Sequence, residues 1–167
     1  MLLCVFIVYK SQGDTVIGLS ELTERTHRTW EGIYKLTDEQ VIYSEGNDPL
    51  HLLLYRHGSH AGTLLEFAVP VSEDDLLILW EPNTNIKGST PMFESVDMLP
   101  QGNEAVVIVR WRYPGQGGER SVQMFHYHKG KLKLIAHSGW MLIGGKRQWI
   151  DMTKTADSTP ATLAPAK

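Results

Sequence analysis

The chain has 167 residues and a mass of 18.8 kDa, a size that suits one domain. Hydrophobic residues make up 42% and charged residues 21%, an ordinary globular composition that excludes collagen-like, coiled-coil and wholly disordered chains. No apolar run in the sequence approaches the ~20 residues of a membrane-spanning helix. We therefore expect residues 1–152 to form a single domain with its own hydrophobic core.

The first residues include the single cysteine, Cys4, so no disulfide can form within the chain. Cys4 lies in the apolar run 2–9, where β-branched and aromatic residues favour a first strand. A secretory signal is not recognisable, since the run has neither a basic start nor a small-residue cleavage site. A chain that opens inside a strand is also what remains after loss of an upstream export segment. The sequence therefore leaves the compartment undetermined.

The net charge of −3 conceals an uneven distribution. Residues 1–104 hold 6 Lys or Arg and 16 Asp or Glu, whereas residues 105–167 hold 10 and 3, giving net charges of −10 and +7. Either the two halves pack together and their fields partly cancel, or a dipolar surface steers a charged partner. Overall acidity and the lack of a dense Lys/Arg cluster predict that nucleic acid is not that partner.

Short apolar runs alternate with turns rich in proline, glycine and asparagine. This pattern predicts an all-β antiparallel meander of about 12 short strands, arranged as a β-sandwich or as an incomplete, propeller-like meander. Residues 20–30 are the one segment with helical features, because Ser20 is a suitable N-cap. Residues 153–167 are small and polar and are expected to be disordered. The predicted strands are 2–9, 14–19, 29–36, 41–45, 50–56, 63–69, 75–80, 92–98, 104–112, 120–127, 131–136, 140–143 and 147–151.

An internal similarity appears at an offset of 56 residues, between segments 46–80 and 102–136. Residues 55–57 then align with residues 111–113, and both segments show a strand, a glycine-containing loop and two further strands. The similarity favours duplication of a small β-meander, although two unrelated meanders also produce such a pattern.

Two residue pairs, 129–130 and 144–145, are typical of two-residue hairpin turns, because glycine accepts the positive φ that these turns require. The first turn places His126 and His128 on an outer face beside two lysines, whose charge opposes a bound cation. The second turn places Trp140 opposite Trp149. We expect neither a metal site nor another cofactor.

Catalytic motifs are incomplete. Residues 58–62 put serine in the wrong place for a nucleophile elbow, and residues 144–146 lack the remainder of a phosphate-binding loop. The acidic cluster 73–75 lacks the alternating oxygen ligands of a calcium loop. Catalysis is therefore not expected, but a hydrolase whose residues come from distant strands stays open as an alternative.

Two aligned strand ends carry aromatic residues beside arginine, the residue types that dominate interface hot spots. With the histidines of the following loop they would form one rim suited to an acidic protein partner. The competing interpretation is that the aromatic side chains pack inward. The sequence thus predicts a non-catalytic, inhibitor-like or immunity-like protein-binding module, with a carbohydrate or small-ligand binder as a further alternative. The candidate binding residues are Tyr55, Arg56, His57, His60, Trp111, Arg112 and Tyr113.

Overall fold

A computed structural model of the chain describes residues 15–82, 84, 90–113 and 119–153, and every structural statement below concerns these residues. The predicted first strand, and the predicted tail beyond Thr153, lie outside them. The described residues form eleven strands and one short helix. These are β1 (Thr15–Gly18), α1 (Leu19–Leu22), β2 (Thr26–Thr29), β3 (Gly32–Ile42), β4 (Leu50–Arg56), β5 (Thr63–Pro70), β6 (Asp75–Trp80), β7 (Met92–Gln101), β8 (Glu104–Arg112), β9 (Arg120–His128), β10 (Lys131–Ile143) and β11 (Lys146–Asp151).

The strands form two antiparallel sheets, and the predicted all-β class is confirmed. The six-stranded sheet has the order β1-β6-β5-β4-β3-β2, and the five-stranded sheet has the order β11-β10-β9-β8-β7. Most neighbours in space are also neighbours in sequence, as expected of a meander. The β1–β6 pair is the exception, because it brings the start of the described chain beside a strand 60 residues later.

The two sheets face each other across the main hydrophobic core. Alternate residues of the central strands point into it, as the period of two in a strand requires. Phe125 lies at its centre, with ring centroids 5.3 Å from Phe67 and 4.9 Å from Trp80. The buried residues of this core are Leu50, Leu52, Leu54, Leu65, Phe67, Val69, Leu79, Ala105, Val107, Val109, Trp111, Phe125, Tyr127 and Leu132.

The six-stranded sheet curls into a half-barrel and encloses a second, smaller core on its other face. This explains why seven of the eight residues of β5 are buried, since both faces of the strand are covered. Leu22 of α1 packs into the same cluster. The other buried members are Ile17, Tyr34, Leu53, Tyr55, Leu64, Ala68, Leu76 and Ile78.

Some predicted boundaries were wrong. The predicted strands 131–136 and 140–143 are a single strand, β10, whose register shifts between Leu134 and Ala136. A bulge of this kind lets a strand bend without ending. The helical segment is confined to α1, and the threonine-rich residues that follow it form β2, because β-branched side chains favour extended backbone. The predicted strands 29–36 and 41–45 are likewise joined by β3, which runs from Gly32 to Ile42, whereas Thr29 belongs to β2 and residues 43–45 lie beyond the strand.

Both predicted hairpins are confirmed in register. His128 pairs with Lys131 across a turn in which Lys129 and Gly130 have φ values of 46° and 68°. Trp140 pairs with Trp149 across the turn formed by residues 144–145, where both glycines also have positive φ. The turn chemistry therefore fixes both registers locally.

The two sheets also share a detail of register. The β3–β4 pair shifts register just beyond the Leu36–Tyr55 pair, and the β7–β8 pair shifts just beyond the Phe93–Trp111 pair. These shifts fall at matching places in the two segments that the sequence aligns. The duplication itself stays a prediction.

Candidate functional site

The aromatic members of the predicted rim point inward. Tyr55, Trp111 and Tyr113 retain 0%, 4% and 5% of their accessible surface. The indole Nε1 of Trp111 donates a hydrogen bond to Gln123 Oε1 at 2.8 Å, and the hydroxyl of Tyr113 lies 3.3 Å from Ser121 Oγ. In this arrangement the three rings belong to the protein interior and offer no stacking surface to a ligand.

The two arginines of the predicted rim are exposed, but they point in different directions. Arg56 follows Leu54 at the spacing of one strand face, and Leu54 faces the other sheet. Arg112 follows the inward-facing Trp111 and therefore points to the outer face of the five-stranded sheet. The structure thus does not bring the seven candidate residues onto one rim.

His57 and His60 do lie together, with ring centroids 4.6 Å apart. His57 also lies 5.6 Å from the ring of Tyr34, whose hydroxyl donates a 2.6 Å hydrogen bond to Glu31. Thr90 donates a second hydrogen bond, of 2.5 Å, to the same carboxylate oxygen. Burial raises the pKa of Glu31, but the hydrogen bonds from Thr90 and Tyr34, together with the nearby His60, outweigh this effect and lower the pKa overall. Both donors therefore hold Glu31 as a charged group.

A buried carboxylate, Glu66, lies inside the curled sheet and was not singled out from the sequence. Its side chain is fully buried, yet Arg25 binds it through two hydrogen bonds of 2.9 and 2.7 Å. Tyr55 donates a third of 2.5 Å, and His27 Nε2 lies 2.8 Å from Oε1. Glu81 shares the guanidinium of Arg25 at 3.1 Å. This is a dense network of five ionisable side chains from segments that are distant in sequence, with Arg25 just before β2 and Glu81 just after β6.

The electrostatics of this network keep Glu66 charged at neutral pH. Burial raises the pKa of Glu66, but its three partners outweigh that effect and lower the pKa to about 2. The hydrogen bond to Glu66 raises the pKa of Arg25, and burial raises that of Tyr55. Because each oxygen of Glu66 is already bound, the carboxylate is not poised to take a proton from a substrate. Its geometry is that of a structural ion-pair network.

The outer face of the five-stranded sheet carries a row of arginine and tryptophan side chains. Arg112 of β8 is directly opposite Arg120 of β9. Gly139 of β10 pairs with Ser121 of β9, and the next position of this register places Trp140 beside Arg120. Trp140 in turn pairs with Trp149 of β11. We call Arg112, Arg120, Trp140 and Trp149 the Arg–Trp row.

The two arginines of the row are poorly neutralised. Among the described residues no carboxylate lies within salt-bridge distance of Arg112, whose Nη2 contacts the sulfur of Met92 at 3.8 Å. Arg120 is 64% exposed and lies 3.5 Å from a carboxylate oxygen of Glu94. Like charges directly opposite each other on paired strands destabilise a sheet. An anionic group placed over the row would relieve this repulsion.

The tryptophans complete the row on the β10–β11 hairpin. Their ring centroids are 5.4 Å apart at 74°, an edge-to-face arrangement. Trp140 is 44% and Trp149 is 51% exposed, so a large aromatic area stays accessible. Arg147 lies two residues before Trp149 and hence on the same face of β11. Single sequence segments do not reveal the row, because it depends on registers between four strands.

The described part of the chain contains no group of three or more His, Cys, Asp or Glu side chains that could hold a metal ion. No helix within it is long and apolar enough to cross a membrane. Comparison with protein-family models, with curated proteins and with solved structures finds no match to this chain.

Proposed function

We propose that the protein is a non-catalytic protein-binding domain and that the Arg–Trp row is its contact surface for an acidic partner. The observation that carries the proposal is the direct opposition of Arg112 and Arg120 beside two half-exposed indoles. Tryptophan and arginine are the residue types most enriched in binding hot spots. The row places them together on one sheet face.

The charge of the row argues for an acidic partner. A carboxylate of the partner can accept paired hydrogen bonds from a guanidinium, a geometry that lysine does not offer. Apposition of Arg112 and Arg120 costs folding free energy, and such local conflicts are typical of functional sites. The +7 charge of residues 105–167 supports the same choice, because it draws an anionic surface toward this sheet.

The other functions considered from the sequence find less support. The network around Glu66 joins five ionisable groups, as a hydrolase with residues from distant strands would, but they bind one another. A carbohydrate binder would use exposed aromatic rings. Trp140 and Trp149 are such rings, and so are Trp30 and Tyr43, which lie outside the row. Carbohydrate binding at the row would depend on Trp140 and Trp149 and would be insensitive to the charge of Arg112 and Arg120.

The proposal is tested by affinity capture from nuclease-treated extract. The test variant carries Arg112→Glu and Arg120→Glu, which keeps a like-charge pair and reverses its sign. The matched control carries Lys131→Glu and Lys133→Glu, which makes the same change in net charge on the same sheet face, beside the histidines of β9. We expect a stoichiometric partner to be captured by wild type and by the control, and to be lost with the test variant.

Three outcomes would count against the proposal. Equal capture by the test variant would remove the row from the interface. Capture of the partner from untreated extract but not from nuclease-treated extract would identify nucleic acid as the bridging ligand. Capture that is lost with Trp140→Ala and Trp149→Ala, but kept with the arginine reversal, would favour the carbohydrate alternative. Binding to a panel of immobilised sugars would then test that alternative.

A further inference from the structure

The outer face of the five-stranded sheet departs from the pattern of a sheet with one solvated face. Strands of such a sheet alternate apolar residues toward the core with polar residues toward water. In β8, Val109 faces the core, so Ile108 beside it points outward. In β9, Phe125 faces the core, so Met124 points outward, as does Val122 two residues earlier. Apolar side chains therefore occupy outward positions on two central strands.

These outward side chains lie together. Ile108 is directly opposite Met124 in the β8–β9 register. In β10, Leu134 packs against the main core, and Ile135, the extra residue at the register shift, is 44% exposed. Single exposed apolar residues are ordinary, whereas a contiguous group of them marks an interaction surface. We call Ile108, Val122, Met124 and Ile135 the apolar patch.

The apolar patch adjoins the Arg–Trp row. Val122 follows Arg120 at the spacing of one strand face, and Ile108 is the diagonal neighbour of Val122 across the β8–β9 pair. Arg110, which is directly opposite Val122, already forms an ion pair with Asp97. At this end of the sheet the poorly neutralised charge is thus concentrated in the row, with apolar surface directly beside it.

We infer that the acidic partner contacts this face with an amphipathic helix that is acidic in one terminal turn and apolar along the side facing the sheet. The inference rests on the proposed function and specifies which part of the partner fits the surface. The acidic turn lies over Arg112 and Arg120, and the apolar side covers the apolar patch. Ile108 is four residues from Arg112, a separation of ~13 Å along the strand. A helix of about ten residues spans that distance.

The position of the apolar patch favours a helix over an extended segment. An extended segment pairs through its backbone at the edge of a sheet, whereas the patch lies on β8, β9 and β10, which are interior strands. Backbone groups pressed onto apolar side chains still need hydrogen-bond partners, and a helix supplies most of them from within itself. Residues three or four apart on a helix share one side, so acidic and apolar residues can both face the sheet.

Titration calorimetry with the captured partner tests the contribution of the apolar patch. The test variant carries Ile108→Thr and Val122→Thr, which keep β-branched side chains suited to a strand and remove apolar surface. The matched control carries Val16→Thr and Val41→Thr, at exposed positions of the six-stranded sheet. We expect Kd to rise about tenfold or more for the test variant and to change less than about threefold for the control.

A second patch variant guards against a loss of folding. Met124→Gln keeps the length of the side chain and makes its end polar, and we expect it to raise Kd about threefold or more. Circular dichroism establishes that every variant is folded.

Peptides of the captured partner test the conformation of its contact segment. Overlapping peptides of about 15 residues are long enough to contain the inferred helix. We expect one of them to bind wild type, to gain helical circular dichroism on binding, and to bind the Arg112→Glu/Arg120→Glu and Ile108→Thr/Val122→Thr variants more weakly.

The outcomes separate this inference from the proposed function. Absence of a stoichiometric partner, or equal binding by the arginine and patch variants and wild type, would overturn both. Loss of binding with the arginine variant but unchanged affinity of the patch variants would overturn the helix inference alone. Absence of a partner peptide that binds and gains helical signal would do the same. Dimerisation of wild type in sedimentation velocity that is lost with Ile108→Thr/Val122→Thr would assign the apolar patch to a second copy and would also overturn the inference.

Discussion

Arg112 and Arg120 occupy directly opposite positions on β8 and β9, on the outer face of the five-stranded sheet. Both side chains are exposed, and Arg112 has no described carboxylate within salt-bridge distance. Opposed like charges of this kind reduce sheet stability. As the proposed contact surface, the pair is a place where stability and binding make opposite demands on the sequence.

Reversing one charge of this pair should separate those demands. Arg112→Glu converts a like-charge pair into an opposite-charge pair, so we expect the free energy of unfolding to rise by about 0.5 kcal/mol. The same change should weaken binding of an acidic partner by about 2 kcal/mol or more. Urea unfolding and calorimetric titration measure the two effects. Lower stability of the folded variant would contradict the assigned geometry.

The adjacent residues Trp111 and Arg112 should respond in opposite ways to truncation. Trp111 is buried and hydrogen-bonded to Gln123, so Trp111→Ala should lower the free energy of unfolding by about 3 kcal/mol or more. Arg112→Ala removes an exposed side chain and should change it by less than about 0.5 kcal/mol. Denaturant unfolding of both variants checks this order. A reversed order would mean that Arg112, and not Trp111, faces the core.

The tryptophan pair of the β10–β11 hairpin should show a measurable coupling. A double-mutant cycle of Trp140→Phe and Trp149→Phe is expected to give a coupling free energy of about 0.5–1 kcal/mol, because edge-to-face aromatic pairs interact beyond the area that they bury. Thermal or urea unfolding of wild type, the two single variants and the double variant gives this coupling free energy. A coupling indistinguishable from zero would mean that the two indoles do not interact in solution.

The ion-pair network around Glu66 predicts sensitivity to acid. Its folded-state pKa of about 2 lies below the ordinary value of 4.5, so its stabilising contribution is complete above pH 4.5 and is lost as the pH falls toward 2. Glu66→Gln leaves Arg25 without its main partner and should cost about 3 kcal/mol at neutral pH. The variant should also lose less stability than wild type across that acidic window.

Unfolding measured from neutral pH down through this window tests the prediction. The exposed Glu45 supplies the control, since Glu45→Gln should leave both the neutral stability and the acid profile close to those of wild type. An acid profile for Glu66→Gln that parallels wild type would show that the carboxylate does not carry the dependence.

Local patterns in the sequence predicted the two hairpin registers, but not which strand faces are buried or that β10 is continuous. Both hairpin registers were predictable, because the turns at 129–130 and 144–145 fix their flanking strands. Strand alternation predicts that Trp111 and Arg112 point to opposite faces of β8. The sequence alone does not say which of the two faces is covered by the other sheet. Two separate strands were expected where β10 is continuous, since a bulge preserves pairing while it breaks the alternation of apolar residues.

The candidate surface and the buried network depend on long-range pairing. The opposition of Arg112 and Arg120 requires the β8–β9 register, and residues 114–118, which connect the two strands in sequence, lie outside the described residues. Glu66 did leave a local signal, because it is the single charged residue in β5, where every other residue except Thr63 is apolar. A lone carboxylate in such a strand indicates a buried partner, although the sequence does not show that Arg25 and His27 supply it.

The affinity of a purified partner for three forms of the protein tests the central claim most directly. Once affinity capture has supplied that partner, titration calorimetry should be performed with wild type, with the Arg112→Glu/Arg120→Glu variant and with the Lys131→Glu/Lys133→Glu variant. We predict that Kd rises at least ~30-fold for the Arg112→Glu/Arg120→Glu variant, in keeping with a hot spot, and changes little for the lysine control. Equal affinities of all three forms would contradict the assignment of the Arg–Trp row as the binding surface.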